Sequence, residues 1–297
     1  MGVLPDLQID YAKETERICS FIDAFVRDRG AGGIVLGLSG GLDSSVVAAL
    51  CARALTPGRV YALLLPERDS SPESVEDAKR HATLLGIEHD VQDLTSALSE
   101  LKCYESGASD LVRFRGGTRA AVKLFPNFAR KGFVANLEGG GGKQFQEFLA
   151  FHRIKHRLRM VAVYREAERR NMAAASCANR TEFETGFFVR YGDDAGDIAP
   201  IKHLFKTQVF GIGRELGLPE EILKKKPSPD LFAGMKDEEV MGISYRELDG
   251  ILFGLSQGLT NEEIIKGFSV RSKTIGYVKE IKKHSDRLRT PPVSLME

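Results

Sequence analysis

The apolar run Ile34 to Leu38 passes without a spacer into Ser39-Gly40-Gly41-Leu42-Asp43-Ser44-Ser45, and that segment opens an apolar helical stretch ending near Leu55. Few architectures accept this order. An unbroken apolar strand must be covered on both faces, as a strand inside a parallel sheet is. A helix that starts at its end is the natural crossover to the next strand. The pattern then repeats. Val60 to Leu65 reads as a strand, Pro66 to Pro72 as a polar loop, Glu73 to Leu85 as a helix and Ile87 to Val91 as a third strand. An amphipathic helix, Asp10 to Arg29, comes first, with Ile18, Phe21, Ile22 and Phe25 at helical spacing. The expected fold class is therefore α/β: a doubly wound parallel sheet flanked by helices.

The middle of the chain breaks this rhythm. Leu101 to Lys143 mixes Gly, Arg and Phe without a clean period and ends in Glu138-Gly139-Gly140-Gly141-Gly142-Lys143. It reads as an insertion or functional flap over about 101–144, with the glycine run as flexible linker. Order resumes with a long helix, about Gln144 to Arg170, and a fourth strand, Met172 to Cys177. Lys206 to Leu216, Tyr245 to Leu255, Asn261 to Lys266 and Ser272 to Lys283 follow as helices.

Composition narrows the classes further. At 297 residues, with 42% hydrophobic and 28% charged residues, the chain can bury a core and is not a disordered type. Its 42 basic and 41 acidic residues leave a formal charge of +1, which argues against a nucleic-acid binder. Cys19, Cys51, Cys103 and Cys177 form no C-x-x-C pair, so neither a zinc site nor a disulfide framework is expected. No leader and no membrane-spanning run is visible, and a cytoplasmic location is expected.

The glycine turn carries the chemistry. Gly40 and Gly41 let backbone N–H groups converge on an anion, and Ser39, Ser44 and Ser45 add hydroxyl donors. The helix N-terminus adds its partial positive charge. Such a cradle suits pyrophosphate. Asp43 would repel a bare phosphate, but suits Mg²⁺ bridging carboxylate and phosphates. A plain strand-to-helix turn would explain the glycines, but not the three hydroxyls and the acid. The loop is not a Walker sequence: Gly139 to Lys143 imitates only the end of one, with Leu137 and Gln144 at the wrong places. Gly211, Gly213 and Gly217 do not make a dinucleotide fingerprint.

S-G-G-x-D-S-S resembles the signature of the PP-loop ATP pyrophosphatases, of the adenine nucleotide alpha hydrolase-like fold. That resemblance implies cleavage of ATP between the α and β phosphates to adenylate a substrate. Later segments narrow it. Lys155-His156-Arg157-Leu158-Arg159-Met160 is similar to the K-A-R-x-R-M helix of NAD synthetases. Ser176-Cys177-Ala178-Asn179-Arg180-Thr181-Glu182 resembles their G-T-x-N-x-x-E. Gly186-Phe187-Phe188, Tyr191-Gly192-Asp193, Asp197-Ile198-Ala199-Pro200, Phe205-Lys206-Thr207-Gln208-Val209, Lys226-Pro227-Ser228-Pro229-Asp230-Leu231 and Gly242-Ile243-Ser244-Tyr245 follow in family order. The likeness covers nearly the whole chain except about Leu101 to Gln144.

Activating a carboxylate with ATP needs cations around three phosphates and acids to hold metal. Arg157, Lys202 and Lys206 are available cations, and Asp43 and Glu182 available metal ligands. The resemblance implies that Arg157 contacts the nucleotide, Glu182 binds Mg²⁺, Lys206 contacts the phosphates and Ser228 lies near the α and β phosphates. It places Asp193 near the dinucleotide substrate; Lys202 and Arg153 are read as further substrate-side cations. Cys177 is read as the replacement for a nucleotide-side Thr. Catalytic weight falls on Asp43, Lys206 and Ser228. Ser70 and Ser71 are read near the adenine ribose or as a helix cap.

Four departures bear on the acyl substrate: Arg153 for Asn, His156 for Ala, Ser176-Cys177 for Gly-Thr, and Val240 for an acid. Together they suggest a pocket with more positive and less negative charge. His156 itself is read as a surface or core histidine. The resemblance implies an ammonia-dependent ligase acting on deamido-NAD as a homodimer. The chain is expected to be one synthetase unit over 1–297 without a glutaminase domain. A ligase for another carboxylic acid is the nearest alternative. A tRNA-modifying enzyme and a non-catalytic nucleotide-binding module are more distant ones.

Overall fold

The computed structural model describes residues 7–105, 126–140, 142–225, 236–291 and 295. Four strands, β1 (Ile34–Gly37), β2 (Val60–Leu64), β3 (Glu88–Val91) and β4 (Ala173–Ala175), form a sheet of order β3-β2-β1-β4. Every pair is parallel. Successive strand residues bury opposite faces. Ile34, Leu36, Val60, Ala62, Leu64, Ala173 and Ala175 join one core, while Val35, Tyr61, Leu63 and Ala174 join another. The first core is covered by α1 (Tyr11–Asp28), α2 (Leu42–Leu55) and α3 (Pro72–Leu85). The second is covered by α4 (Thr95–Glu100) and the long α6 (Lys143–Arg170). This is the doubly wound α/β arrangement expected from the apolar runs. The chain leaves β1 toward β2 and later returns to β1's other side as β4. The crevice beyond the carboxyl ends of β1 and β4 is thus a topological switch point, where ligands bind in such sheets.

A further hydrophobic core lies outside the sheet. It gathers Phe133 and Leu137 of α5 (Pro126–Glu138) with the C-terminal helices α10 (Asp237–Met241), α11 (Tyr245–Ser256), α12 (Asn261–Phe268) and α13 (Ser272–Arg289). Between the sheet and this core run α7 (Arg180–Thr185) and α8 (Lys206–Glu215), while α9 (Glu220–Lys224) adds Ile222 and Leu223 to the first core.

The middle segment departs from its expected irregularity. Residues 126–138 are helical, because Phe133 and Leu137, four apart, dock together on the C-terminal core. Residues 106–125 lie outside the described residues. The glycine run is no slack linker where it is described. Gly140 N donates to Ala135 O, and Gln146 Nε2 donates to the carbonyls of Gly139 and Gly140. Gly139 has φ +72°, and a Cβ there would sit 2.8 Å from Arg287 Nη1. Helix α2 begins at Leu42, inside the glycine turn's own motif, which places Asp43 in its first turn. Strand β4 is confined to three alanines, shorter than the expected Met172 to Cys177.

Candidate active site

The turn after β1 closes on itself through its own hydroxyls. Ser39 Oγ accepts from Gly41 N at 3.2 Å and lies 3.0 Å from Ser44 Oγ, which also accepts from Ser39 N. Gly40 has φ +72°, and a Cβ there would lie 2.4 Å from Ser74 O of α3. Glycine is required for that close approach. Gly41 is the N-cap of α2 and supplies no side-chain cap, so the first-turn N–H groups of a 14-residue helix remain available beside the cavity. Ser39, Gly41, Asp43 and Ser44 line that cavity. Ser45 does not. It is fully buried in the core below, with no hydrogen-bond partner for its hydroxyl among the described residues.

Opposite the turn, Asn179 caps α7 and closes a reciprocal box with Glu182. Its side-chain amide donates to Asp43 Oδ1 at 3.0 Å, so one Asn ties the two acids together. Lys206 opens α8. Its buried ammonium donates to Asp43 Oδ2 and lies 3.4 Å from Glu182 Oε1. A third carboxylate, Asp237 of α10, also lines the cavity; it accepts from Tyr245 OH at 2.7 Å through Oδ2. Its other oxygen is buried with no hydrogen-bond partner among the described residues. Burial, then the proximity of Asp43 and Asp237, pushes Glu182 up to about 8 against the opposing pull of Lys206. Burial likewise raises Asp237. The three carboxylates raise the Lys206 ammonium above its usual range against its own burial. The charge balance is thus one lysine among three acids.

That excess negative charge is the chemistry of a dication site. Mg²⁺ takes oxygen ligands and commonly uses one or two carboxylates plus substrate phosphates rather than an all-protein cage. Among the described residues no three His, Cys, Asp or Glu side chains converge as a cage. Asp43 and Glu182, with the Asp237 carboxylate nearby, fit the carboxylate share.

The cavity encloses about 380 Å³ and continues along α6. Val163 of that helix lies 3.8 Å from where a Gly37 Cβ would stand. Ten positions earlier, roughly 15 Å along the helix axis, Arg153 lines the same cavity and donates to Asn136 Oδ1 at 2.8 Å. His156 faces in beside it, with Nδ1 3.7 Å from Asp193 Oδ1. Burial pushes Asp193 up to about 6, and its carboxylate accepts from Val189 N at 2.7 Å. Leu63, Leu64, Leu65 and Val75 supply an apolar wall, with Ser70 and Ser71 at its rim.

Several expected residues are placed elsewhere. Arg157 is turned from the cavity and donates to Arg190 O at 3.2 Å; Arg159 lines it instead and donates to Leu65 O. Lys202 is also outside, its ammonium 4.0 Å from the centre of the Phe183 ring. Val240 packs in the C-terminal core, so an acid at that position would not have faced the pocket. His156, read from sequence as a surface or core residue, is a cavity residue. Ser228 lies outside the described residues. Arg159, quoted in the helix motif without a role of its own, lines the cavity, as do Asp237, Asn136 and Lys225, which were given no role from the sequence. One signal was available: Leu149, Arg153, His156, Met160 and Val163 recur at four- and three-residue steps, a single helix face.

Cys177 lines the cavity, and burial, then the Asp43 charge, holds its thiol well above the usual range. A protonated thiol is a poor nucleophile. Cys177→Thr is therefore expected to keep the turnover of the purified protein within about threefold, because a thiol held protonated is not primed to attack. A loss of a hundredfold or more in initial-rate assays would require a chemical role for sulfur.

The sequence profile of the family described as NAD synthase matches residues 14–132 and 131–292. The NH(3)-dependent NAD(+) synthetase of Thermotoga maritima is 40% identical over 277 residues, covering 92% of this chain and 96% of that protein. Among solved structures, the NH3-dependent NAD synthetase of Campylobacter jejuni, in complex with the nitrate ion, superposes with a TM-score of 0.71 at 25% identity. It covers 97% of this chain and 100% of its own. The NMN synthetase of Francisella tularensis shares the fold, with a TM-score of 0.72 at 24% identity over 98% of this chain and 100% of its own.

Proposed function

We propose that this chain, which belongs to the NAD synthase family, makes NAD by ATP-dependent amidation of deamido-NAD with free ammonia. The observation that carries the reading is the juxtaposition of the uncapped α2 turn with Asp43, Glu182 and Lys206 at the switch point of the sheet. The nicotinate carboxylate attacks the α-phosphorus of ATP, and the bond to the β-phosphate oxygen breaks, releasing pyrophosphate. Ammonia then attacks the carbonyl carbon of the acyl adenylate. The amide forms, a proton is lost from nitrogen, and AMP departs with one oxygen of the original carboxylate.

The chain's own groups divide this work. The glycine turn with Ser39 and Ser44 receives the pyrophosphate, and family likeness gives Ser228 a role toward the phosphates. Lys206 places a positive charge where charge accumulates on the transferring phosphate. Mg²⁺ held by Asp43 and Glu182 would neutralise phosphate oxygens. The apolar wall with Ser70 takes the adenosine. Arg153, His156 and Asp193 face the acyl substrate. No covalent enzyme intermediate is needed, since orientation and charge suffice.

Family likeness also supports a homodimer in the cytoplasm and a single synthetase unit that takes ammonia directly. No helix among the described residues is long and apolar enough to cross a membrane. The test is a purified-protein assay with ATP, Mg²⁺, deamido-NAD and either ammonium or glutamine. Stoichiometric AMP and NAD with ammonium, and not with glutamine, is the expected result. AMP release unaffected by deamido-NAD would sink the reading. If nicotinate mononucleotide drives it instead, the substrate assignment shifts to that smaller acid.

Arg153 supplies a second test of the acyl end. It is expected that Arg153→Ala raises the KM for deamido-NAD about tenfold or more, with the KM for ATP little changed, because a hydrogen-bonded cation is removed from one region only. Equal rises in both constants would place Arg153 elsewhere in the reaction.

A further inference from the structure

Asp249 of α11 is fully buried and does not line the cavity. It nevertheless accepts three hydrogen bonds from the two helices that present Glu182 and Lys206. Thr181 Oγ1 donates to its Oδ1 at 2.6 Å. Thr207 donates to Oδ2 twice, from N and from Oγ1, each at 2.8 Å. Thr181 immediately precedes Glu182, and Thr207 immediately follows Lys206.

The direction of these bonds matters. An ionised carboxylate only accepts, so the Thr181 proton is committed to Asp249. The lone pairs of Thr181 Oγ1 are left for the N–H of Lys206, which donates to it at 2.9 Å. The first two N–H groups of α8, those of Lys206 and Thr207, are thereby satisfied from outside the helix. The N-cap of α8 is Phe205, which supplies no side-chain cap. A local Ser or Asn could have capped the helix alone. A carboxylate brought from α11 does something more: it fixes the start of α8 relative to the start of α7.

We propose that Asp249 is a positioning residue for the adenylation step, setting the separation of Glu182 and Lys206 from behind the cavity. The proposal rests on the reading of those two groups as the phosphate-side machinery. A displacement of about 1 Å at such a site can cost on the order of a hundredfold in rate. A role of this kind falls on turnover more than on nucleotide affinity, because the spacing counts most where charge develops.

The test measures kcat for AMP formation and KM for ATP in four folded variants of the full chain. Asp249→Asn keeps only one acceptor oxygen, so an amide donor faces either Thr207 or the Thr181 hydroxyl, both of which donate to the carboxylate, and Thr181→Val removes the bridging hydroxyl at constant shape. Both are expected to lower kcat about 30-fold or more, with KM for ATP within about threefold. Thr181→Ser keeps the hydroxyl and is expected to stay within about threefold of the parent. Tyr277→Phe removes a buried hydrogen bond to Met241 O, away from the cavity, and is the control for lost stability alone. It is expected to lower Tm while leaving kcat unchanged. If Asp249→Asn does not fold, the Thr181 pair decides. Folded Thr181→Val with kcat near the parent overturns the proposal, as does a Thr181→Ser variant as slow as Thr181→Val. Failure of the underlying reading looks different: Lys206→Met would then retain activity whatever Asp249→Asn does.

Discussion

Replacing Lys206 with methionine is expected to lower kcat for AMP formation by about a thousandfold or more while leaving a folded protein. Removing a single preorganised donor from a developing oxyanion costs on the order of 10² to 10³ in rate. Lys206 supplies a full charge rather than a dipole, and it does so from a buried position, where the interaction is weakly screened. Its loss also changes what remains. Asp43, Glu182 and Asp237 would then face one another without the ammonium that now joins the first two. Glu182 already stands at about 8 with that ammonium in place. Without it, the raising influences of burial and like charge are unopposed, and the carboxylate is held more firmly as the neutral acid. Lys206→Arg is not expected to rescue, because a planar fork does not replace a compact ammonium between two acids. The measurement is AMP release at saturating ATP and acid over a Mg²⁺ series. Activity within tenfold of the parent would remove Lys206 from the chemistry.

The second large effect is structural in origin. Gly40→Ala is expected to abolish measurable ATP binding and to lower Tm by several degrees. At φ +72° an L-residue in the left-handed region costs roughly 1–2 kcal/mol. The added Cβ would also stand 2.4 Å from the Ser74 carbonyl and 3.2 Å from Ala78 N. Both are backbone atoms of α3, so no side chain can swing aside. Either α3 shifts or the turn opens, and the turn is the element that must present its N–H groups to pyrophosphate. Gly41→Ala is the informative comparison. Its φ is −91°, and a Cβ there would meet only Ser39 Oγ at 3.3 Å. It is expected to weaken ATP binding much less. Calorimetric titration of ATP into both variants, with thermal melts alongside, separates the cases. Equal behaviour of the two would mean that the approach to α3 does not govern the turn.

The two glycines show what a one-dimensional pattern can carry. The turn itself was legible because strand, glycines, hydroxyls, acid and helix are consecutive. Sequence reasoning assigned both glycines to anion contact, whereas the backbone of α3 explains why position 40 in particular must be glycine. Asp43, Glu182 and Lys206 were each visible as separate candidates, and the fold brings them within bonding reach. What stayed hidden depends on which way a helix faces. Arg157 and Arg159 are two positions apart on α6, about 200° around its axis. Only packing on the sheet decides which of them meets the cavity. Val240 and Asp237 pose the same problem on α10: one faces the C-terminal core and the other Lys206. The bonds from Thr181 and Thr207 to Asp249 span 68 and 42 residues, beyond any local pattern.

The central claim is that the acid is activated by transfer of adenylate within this cavity, and isotope transfer tests it most directly. Deamido-NAD labelled with ¹⁸O in its nicotinate carboxylate would be turned over with ATP, Mg²⁺ and ammonium, and the products analysed by mass spectrometry. Attack of the carboxylate on the α-phosphorus, followed by displacement by ammonia, leaves one labelled oxygen in the phosphate of AMP and none in pyrophosphate. Label in pyrophosphate or inorganic phosphate, or unlabelled AMP beside newly formed NAD, would contradict it.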